Sequence, residues 1–422
     1  MSEIKLTSEL FNQLEKGKKN ILITEEEALL LKEIPKKVEP IIFACCEMLS
    51  YPVKDIVPVG SSQRNTYLPG NRDIDLFVRF DTKDRLILEK FAENAIPLIA
   101  SELRTTYEIK YAENPFGVIN YLLDRNEFIK IDIVATIWIA EVSELPEILK
   151  ISGMARTPFH SMYLKNTIIG LEEEIRLLKY WMKQKKLYRQ AGFTGFIVEL
   201  LIIIYKSFIS VLEHRDEMLN LIHDFFKRTP AQLTKKFPNF PIIIIDPIDK
   251  NRNAAAGIHG ILGQLHLNRF HKLASMSLEQ PETLWQEYNI SGEMKFIIEI
   301  IFLESVTIKN EDEHYSRLIK VISLINRALK ESEIEILDAL IDLDSFKIEL
   351  QTDTLGNGKI KRKGPPILST NNVNKFLQKN SDCWQENGYY WTFEAQKSTS
   401  DIIKAVLEKN ATIKHFTILI IN

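Results

Sequence analysis

Cysteine is nearly missing: Cys45, Cys46 and Cys383 are the only three in 422 residues. Three thiols cannot build a disulfide framework, and the adjacent pair lacks the spacing of a zinc site. Both lie in the apolar run IIFACCEML, which reads as buried small hydrophobes and, by default, as a reducing, cytoplasmic setting. Glycine and proline, 16 of each, are too few for a collagen-like or low-complexity chain. Long apolar runs are also scarce. The greasiest, FIVELLIIIYKSFISVL (196–212), is interrupted by Glu199 and Lys206 and falls short of the roughly twenty residues a bilayer needs, so it reads as a buried helix and no membrane partner is expected. The first twenty residues hold no signal-type apolar core. An excess of either charge is missing too: 54 basic against 57 acidic residues leave a net charge of -3. A near-neutral total can hide a basic face, so the charge neither supports nor excludes an RNA partner.

What is present is an α+β pattern. The first fifty residues read as helical, with Thr24 and Glu27 in the form of a capping box. DIVPVG (55–60) reads as a short strand ending in a polar turn, and DIDLFVRF (73–80) as a second. A helix over 83–101 and strands over 107–113, 117–123 and 128–139 complete a mixed-sheet domain, expected at 1–155. From about 165 to 275 the apolar period turns helical, and IIIID (242–246) is its one strand-like interruption, giving an expected helical domain at 156–280. The remainder, 281–422, alternates again and reads as a smaller C-terminal α+β domain in which GNGKIKRKGPP (356–366) is a connector. No internal repeat is visible.

The chemistry concentrates in VGSSQRNTYLPGNRDIDLF. Asp73 and Asp75 are two apart on a strand, so both carboxylates share a face. They repel one another unless a divalent cation sits between them, and Mg²⁺ suits one or two carboxylates combined with substrate phosphates. Upstream, Gly60, Ser61 and Ser62 end a strand in a turn whose amides and hydroxyls can cradle a phosphate, and Arg64 can hold phosphate oxygens. FIKIDIV supplies a third acid, Asp132, whose apolar flanks imply a buried strand where an unpaired carboxylate is costly. Alone, each piece has a plainer explanation: a solvated strand end, an ordinary turn, a carboxylate paired with Lys130. In this order and spacing they make a phosphate cradle beside a metal pair, which is what nucleotidyl transfer requires.

This constellation resembles the polymerase β-type nucleotidyltransferases. The resemblance implies that Asp73 and Asp75 hold two metals and that Asp132 completes the one activating a 3′ hydroxyl. ARTPFHSMYL (155–164), EEEIRLLKYWMKQKKLY, GFTGFIVELLIIIYKSF and DPIDKNRNAAA resemble, in order, four blocks of the archaeal-type (class I) CCA-adding enzymes. That likeness is clear over about 55–275. It implies contacts of His160, Lys179 and Tyr188 with the nucleoside triphosphate and of Arg252 with the base edge. CTP, ATP and the 3′ acceptor end of tRNA are the substrates it implies. A homodimer stays open.

Three departures stand out. Asn65 replaces the family's glycine after the phosphate-turn arginine, and Asn tolerates left-handed geometry. Only Arg189-Gln190-Ala191 separates Tyr188 from Gly192, where the family has a longer Gly-Ala-Glu segment. The chain also reads as short of the family's C-terminal tail. Competing readings are a synthase of cyclic or linear oligonucleotides, a nucleotidyltransferase toxin, and a non-catalytic RNA-binding relative.

Overall fold

A computed structural model describes residues 7–111, 114–124, 127–290, 294–303, 311–342, 345–356, 359–395 and 397–421. Two compact units divide it: one comprises the chain up to His259 together with His266–Tyr288, the other Gly260–Leu265 and Asn289 onward.

The first unit begins with α1 (Ser8–Asn20) and α2 (Glu25–Met48). Thr24 caps α2 through its hydroxyl, which accepts from the Glu27 amide at 3.1 Å. Only this half of the expected capping box is found. The Glu27 carboxylate instead accepts from Arg72 Nε at 3.0 Å, tying the helix to the approach of the second strand. Next come β1 (Val53–Val59), β2 (Asp73–Phe80), α3 (Arg85–Glu102), β3 (Tyr107–Tyr111), β4 (Pro115–Asp124) and β5 (Glu127–Ile137). They form one mixed sheet in the order β1-β2-β5-β4-β3, antiparallel throughout except for the parallel β2–β5 pair. Residues 112–113 of the expected third strand lie outside the described residues.

Strand alternation decides what faces where. Ile74, Leu76, Val78 and Phe80 of β2, with Ile129, Ile131, Ile133 and Ala135 of β5, are buried in one core with α2 and α3. Burial of each of the larger side chains is worth about 1.5–3 kcal/mol, which fixes the register of both strands. The intervening residues Asp73, Asp75 and Asp132 therefore have to point away from that core.

After the sheet come α4 (Leu145–Ile148), α5 (Thr157–Thr167), α6 (Glu172–Gln184), α7 (Gly195–Tyr205) and α8 (Phe208–Glu213). The apolar run at 196–212 is thus two helices, not one. Lys206 leaves α7 in left-handed geometry (φ 73°), and the Ser207 side chain caps α8. β6 (Ile222–His223), α9 (Pro230–Lys236) and β7 (Ile243–Ile244) follow, with β6 and β7 in a parallel pair, and α10 (Gly260–Glu279) comes last. Trp181, Phe193, Phe208 and Phe270 anchor this helical core, all fully buried.

The second unit contains β8 (Lys295–Phe302), α11 (Glu311–Lys330), β9 (Ile336–Asp342), β10 (Lys347–Thr352), β11 (Lys359–Pro366), α12 (Thr370–Lys379), β12 (Cys383–Glu386), β13 (Tyr389–Ala395), α13 (Thr399–Glu408) and β14 (Ile413–Ile421). Its sheets run β14-β8-β10-β9 and β11-β13-β12. The expected connector KIKRKGPP is a strand, because β13 supplies a partner for its backbone and Tyr389 lies 3.4 Å under the Lys363 ammonium. Pairing across sequence distance overrode its glycine-and-lysine composition. Residues 357–358 of that segment lie outside the described residues. Among the described residues no helix is long and apolar enough to cross a membrane.

Candidate active site

Parallel pairing of β2 with β5 sets Asp75 directly opposite Asp132 and Asp73 opposite Lys130. Asp75 and Asp132 lie on the floor of a cleft of about 740 Å³, also lined by Gly60, Arg64, His160 and Arg252. Asp73, the first residue of β2, is not on the cleft wall.

The floor is electrostatically strained. Burial, then the negative charges of Asp132 and Asp73, push the Asp75 carboxyl up to about 7, against the opposing pull of Arg64 and Arg189. Burial and Asp73 likewise raise Asp132 to about 6. These are carboxylates short of positive charge, with an all-oxygen donor set suited to a hard divalent cation. Among the described residues no three acids, histidines or cysteines are gathered tightly enough to cage a metal alone. Mg²⁺ does not require such a cage, since it completes its shell with water and substrate phosphates.

The phosphate turn forms as its residues dictate. Gly60 adopts φ 81°, and Ser62–Arg64 make one 3-10 turn closed by Asn65 at φ 55°, ψ 32°. The left-handed step at Asn65 is the one expected, and Arg176 on α6 donates to its carbonyl. Arg64 is not left free for phosphate. Its Nη2 pairs with Glu199 Oε2 at 2.9 Å and its Nη1 donates to Ser161 Oγ at 3.2 Å.

Glu199, read in the sequence only as an interruption of an apolar run, is the hub of this wall. It is 1 % exposed and also accepts from Thr66 Oγ1 at 2.6 Å and lies 3.4 Å from Lys179 Nζ. Burial works against its charge, and Lys179 and Arg64 more than offset that, keeping it ionised. Lys179 is thus not on the cleft wall. It is 2 % exposed and donates to the Thr66 carbonyl at 2.9 Å. Its ammonium and the Tyr188 hydroxyl flank Gly195 at the start of α7: a Cβ there would meet them at 3.8 and 3.2 Å.

A second carboxylate, Asp246, read in the sequence only as one of the polar residues crowding Arg252, organises another part of the site. His160 Nε2 sits 2.8 Å from Asp246 Oδ2, and Arg252 Nη1 donates to the same oxygen at 2.8 Å. A carboxylate only accepts, so Nε2 carries the ring proton. Burial alone would raise Asp246, but His160, the Ile248 amide and Arg252 hold it down to about 2. His160 also packs on Phe196 at 4.4 Å between ring centroids. The sequence signal for Asp246 was present in DPIDKNRN, where acids crowd around Arg252. Nothing comparable marked Glu199.

In-register carboxylates on the face of a mixed sheet turned away from α2 and α3, beside a phosphate turn and a cleft lined by Arg64 and Arg252, define a nucleotidyltransferase. Divalent metal is the general requirement of such enzymes. Residues 38–131 match the nucleotidyltransferase domain, 173–285 the second domain of tRNA nucleotidyltransferase, and 295–418 the C-terminal domain of CCA-adding enzyme. The CCA-adding enzyme of Methanocaldococcus jannaschii is 30% identical over 404 residues, covering 89% of this chain and 83% of that one. That of Saccharolobus shibatae is 27% identical over 409 residues, 93% of each. The chain belongs to the CCA-adding enzyme family and is a tRNA nucleotidyltransferase. In fold, a solved RNA terminal uridylyl transferase superposes with TM-score 0.51 at 13% identity, over 67% of this chain and 99% of that one.

Proposed function

We propose that this enzyme adds C, C and A to the 3′ end of tRNA from CTP and ATP, without a nucleic-acid template, and that Mg²⁺ is its metal. The observation that carries the catalytic assignment is the pairing of Asp75 with Asp132 across β2 and β5 at the cleft floor. In this reading residues 1–155 perform the chemistry, 156–280 hold the nucleotide and 281–422 hold RNA.

Asp75 and Asp132, with Asp73 at the edge, are the residues that would hold metal, which when bound neutralises charge on the reacting phosphate and favours ionisation of the attacking hydroxyl. The protein's own work is positioning. Gly60 and Ser61 offer the turn to the phosphates, with Arg64 fixed beside them by Glu199; Ser62, expected there too, is fully buried and supports the turn from behind. The start of α7, with Lys179 and Tyr188 against Gly195, presents amides that no intrahelical carbonyl accepts, a suitable receptor for the triphosphate tail. His160 faces the same cleft, its ring set by Asp246. Arg252, anchored by the same carboxylate, presents its remaining donors to a base edge. The 3′ oxygen bonds to the α-phosphorus, the bond from that phosphorus to the bridging oxygen breaks, and pyrophosphate leaves with the electron pair. The hydroxyl proton passes to solvent.

The test is extension of tRNA ending at the discriminator base, at -C and at -CC, with CTP, ATP or both, and Asp75→Ala as control. Stepwise C, C, A addition that stops there and vanishes in the variant supports the reading. Oligonucleotide product from nucleotides alone, with no tRNA extended, would move the protein to the oligonucleotide synthases.

A further inference from the structure

The side chains expected at the nucleotide are already engaged by protein carboxylates. Arg64 and Lys179 pair with Glu199, and His160 and Arg252 with Asp246. A nucleoside triphosphate nevertheless brings several negative charges to a floor of carboxylates that are themselves short of counter-charge.

Arg189 is differently placed. It belongs to the connector between Tyr188 and Gly192, the one that is shorter here than in the family pattern. The connector closes on itself: the Arg189 amide donates to the Phe193 carbonyl at 2.9 Å and the Phe193 amide to the Gln190 carbonyl at 3.0 Å. To turn this sharply, Arg189 and Ala191 take φ of 60° and 44° beside Gly192 at 87°. Side chains disfavour that region, and it persists only where the surroundings impose it. Here they do, because Gly192 lies on the backbone of Gly257 with no room for a Cβ.

The outcome is a rigid turn at the cleft, whose wall includes Gly192 and Thr194. The Arg189 side chain is exposed, with its guanidinium 5.8 Å from the ring centroid of Tyr188. The Tyr188 hydroxyl in turn lies beside Gly195 at the start of α7. Both Asp75 and Asp132 feel the charge of Arg189. Among the described residues no carboxylate forms an ion pair with it.

We propose that Arg189 is a phosphate ligand of the nucleotide site: its guanidinium takes the terminal phosphates of the incoming nucleoside triphosphate and the pyrophosphate formed from them. The assignment rests on the nucleotidyl-transfer reading above and deepens it. The shortened connector thus has a role of its own, bringing a planar, bidentate donor to the tail of the triphosphate.

Calorimetric binding of ATP, AMP and pyrophosphate to the wild-type protein, Arg189→Ala and Arg189→Lys, all with Mg²⁺, tests this. Arg189→Ala should weaken ATP and pyrophosphate about tenfold or more, the scale of one lost charge-assisted contact, and leave AMP within about twofold. Arg189→Lys should restore part of the loss, since it keeps the charge without the fork. Unchanged ATP and pyrophosphate binding in Arg189→Ala would overturn the proposal. So would an equal loss for AMP, which would make Arg189 a support of the connector instead of a ligand. None of these measurements needs tRNA. Failure of the wild-type protein to extend tRNA would therefore count against CCA addition, and the comparison of ATP with AMP would still decide Arg189.

Discussion

The carboxylate of Asp75 occupies the space in which any side chain on Gly60 would have to begin. The two meet because β1 and β2 pair Val59 with Asp75, so the residue after Val59 turns away directly over the acid. Gly60 therefore meets two demands at once. It supplies φ 81° for the turn, and it leaves the acid its place on the cleft floor.

Gly60→Ala should lower kcat about a hundredfold or more, because a displacement of an ångström at a reacting centre is enough for that. Gly70→Ala is the matched control, with the same φ of 81° but nothing within 4 Å of its added Cβ. It should cost about 1–2 kcal/mol of stability from backbone strain alone and leave kcat unchanged. Urea denaturation and single-turnover extension separate the two. Equal kcat losses in both variants would show that the contact with Asp75 is not what matters.

Legibility in the sequence followed the range of the interactions. Asp73, Asp75 and Asp132 could be found because strand alternation is local: two acids two apart share a face, and the apolar flanks of Asp132 marked a buried strand. Asn65 could be read as left-handed because it stands where the family has glycine and Asn tolerates that geometry. Glu199 could not, since its partners Arg64, Thr66 and Lys179 come from two distant segments and only the fold brings them to one carboxylate. The strand at Lys359–Pro366 escaped for a related reason: its edge is completed by β13, some thirty residues later along the chain. The break at Lys206 lay in an apolar stretch whose hydrophobicity masked a helix end.

Glu199→Gln removes the charge from a buried site that holds two cations. Breaking one side of a buried ion pair costs about 3–5 kcal/mol, and here both Arg64 and Lys179 lose their partner. A lower urea midpoint is expected, with a raised KM for ATP as Arg64 loses its fixed place at the phosphate turn. An unchanged urea midpoint would mean that the pair contributes no more than an exposed one.

Asp246→Asn should remove a stabilising contribution that depends on acid pH. The folded-state carboxyl sits at about 2 against an ordinary 3.8. The unfolded chain therefore binds more protons between those values, and stability rises with pH through that window. The contribution, about 2 kcal/mol, is complete above roughly pH 4 and lost as pH falls toward 2. The difference in unfolding free energy between wild type and variant should accordingly shrink from pH 6 to pH 3. A constant difference would attribute the effect to packing and not to the His160 and Arg252 contacts.

The cleft floor should behave in the opposite sense, and metal should correct it. Asp75 at about 7 and Asp132 at about 6 both lie above the ordinary 3.8. The folded protein therefore binds more protons than the unfolded chain across that interval, and the stability of the metal-free protein falls as pH rises from about 4 through about 7. A divalent cation bound to the ionised carboxylates stabilises only the folded state. Millimolar Mg²⁺ should therefore raise Tm by a few degrees at pH 8 and by less at pH 5, where protonated carboxyls do not need it. Asp75→Asn should flatten the metal-free profile and lose most of the Mg²⁺ gain. An equal gain at both pH values, or a gain retained in the variant, would place the cation somewhere other than between Asp75 and Asp132.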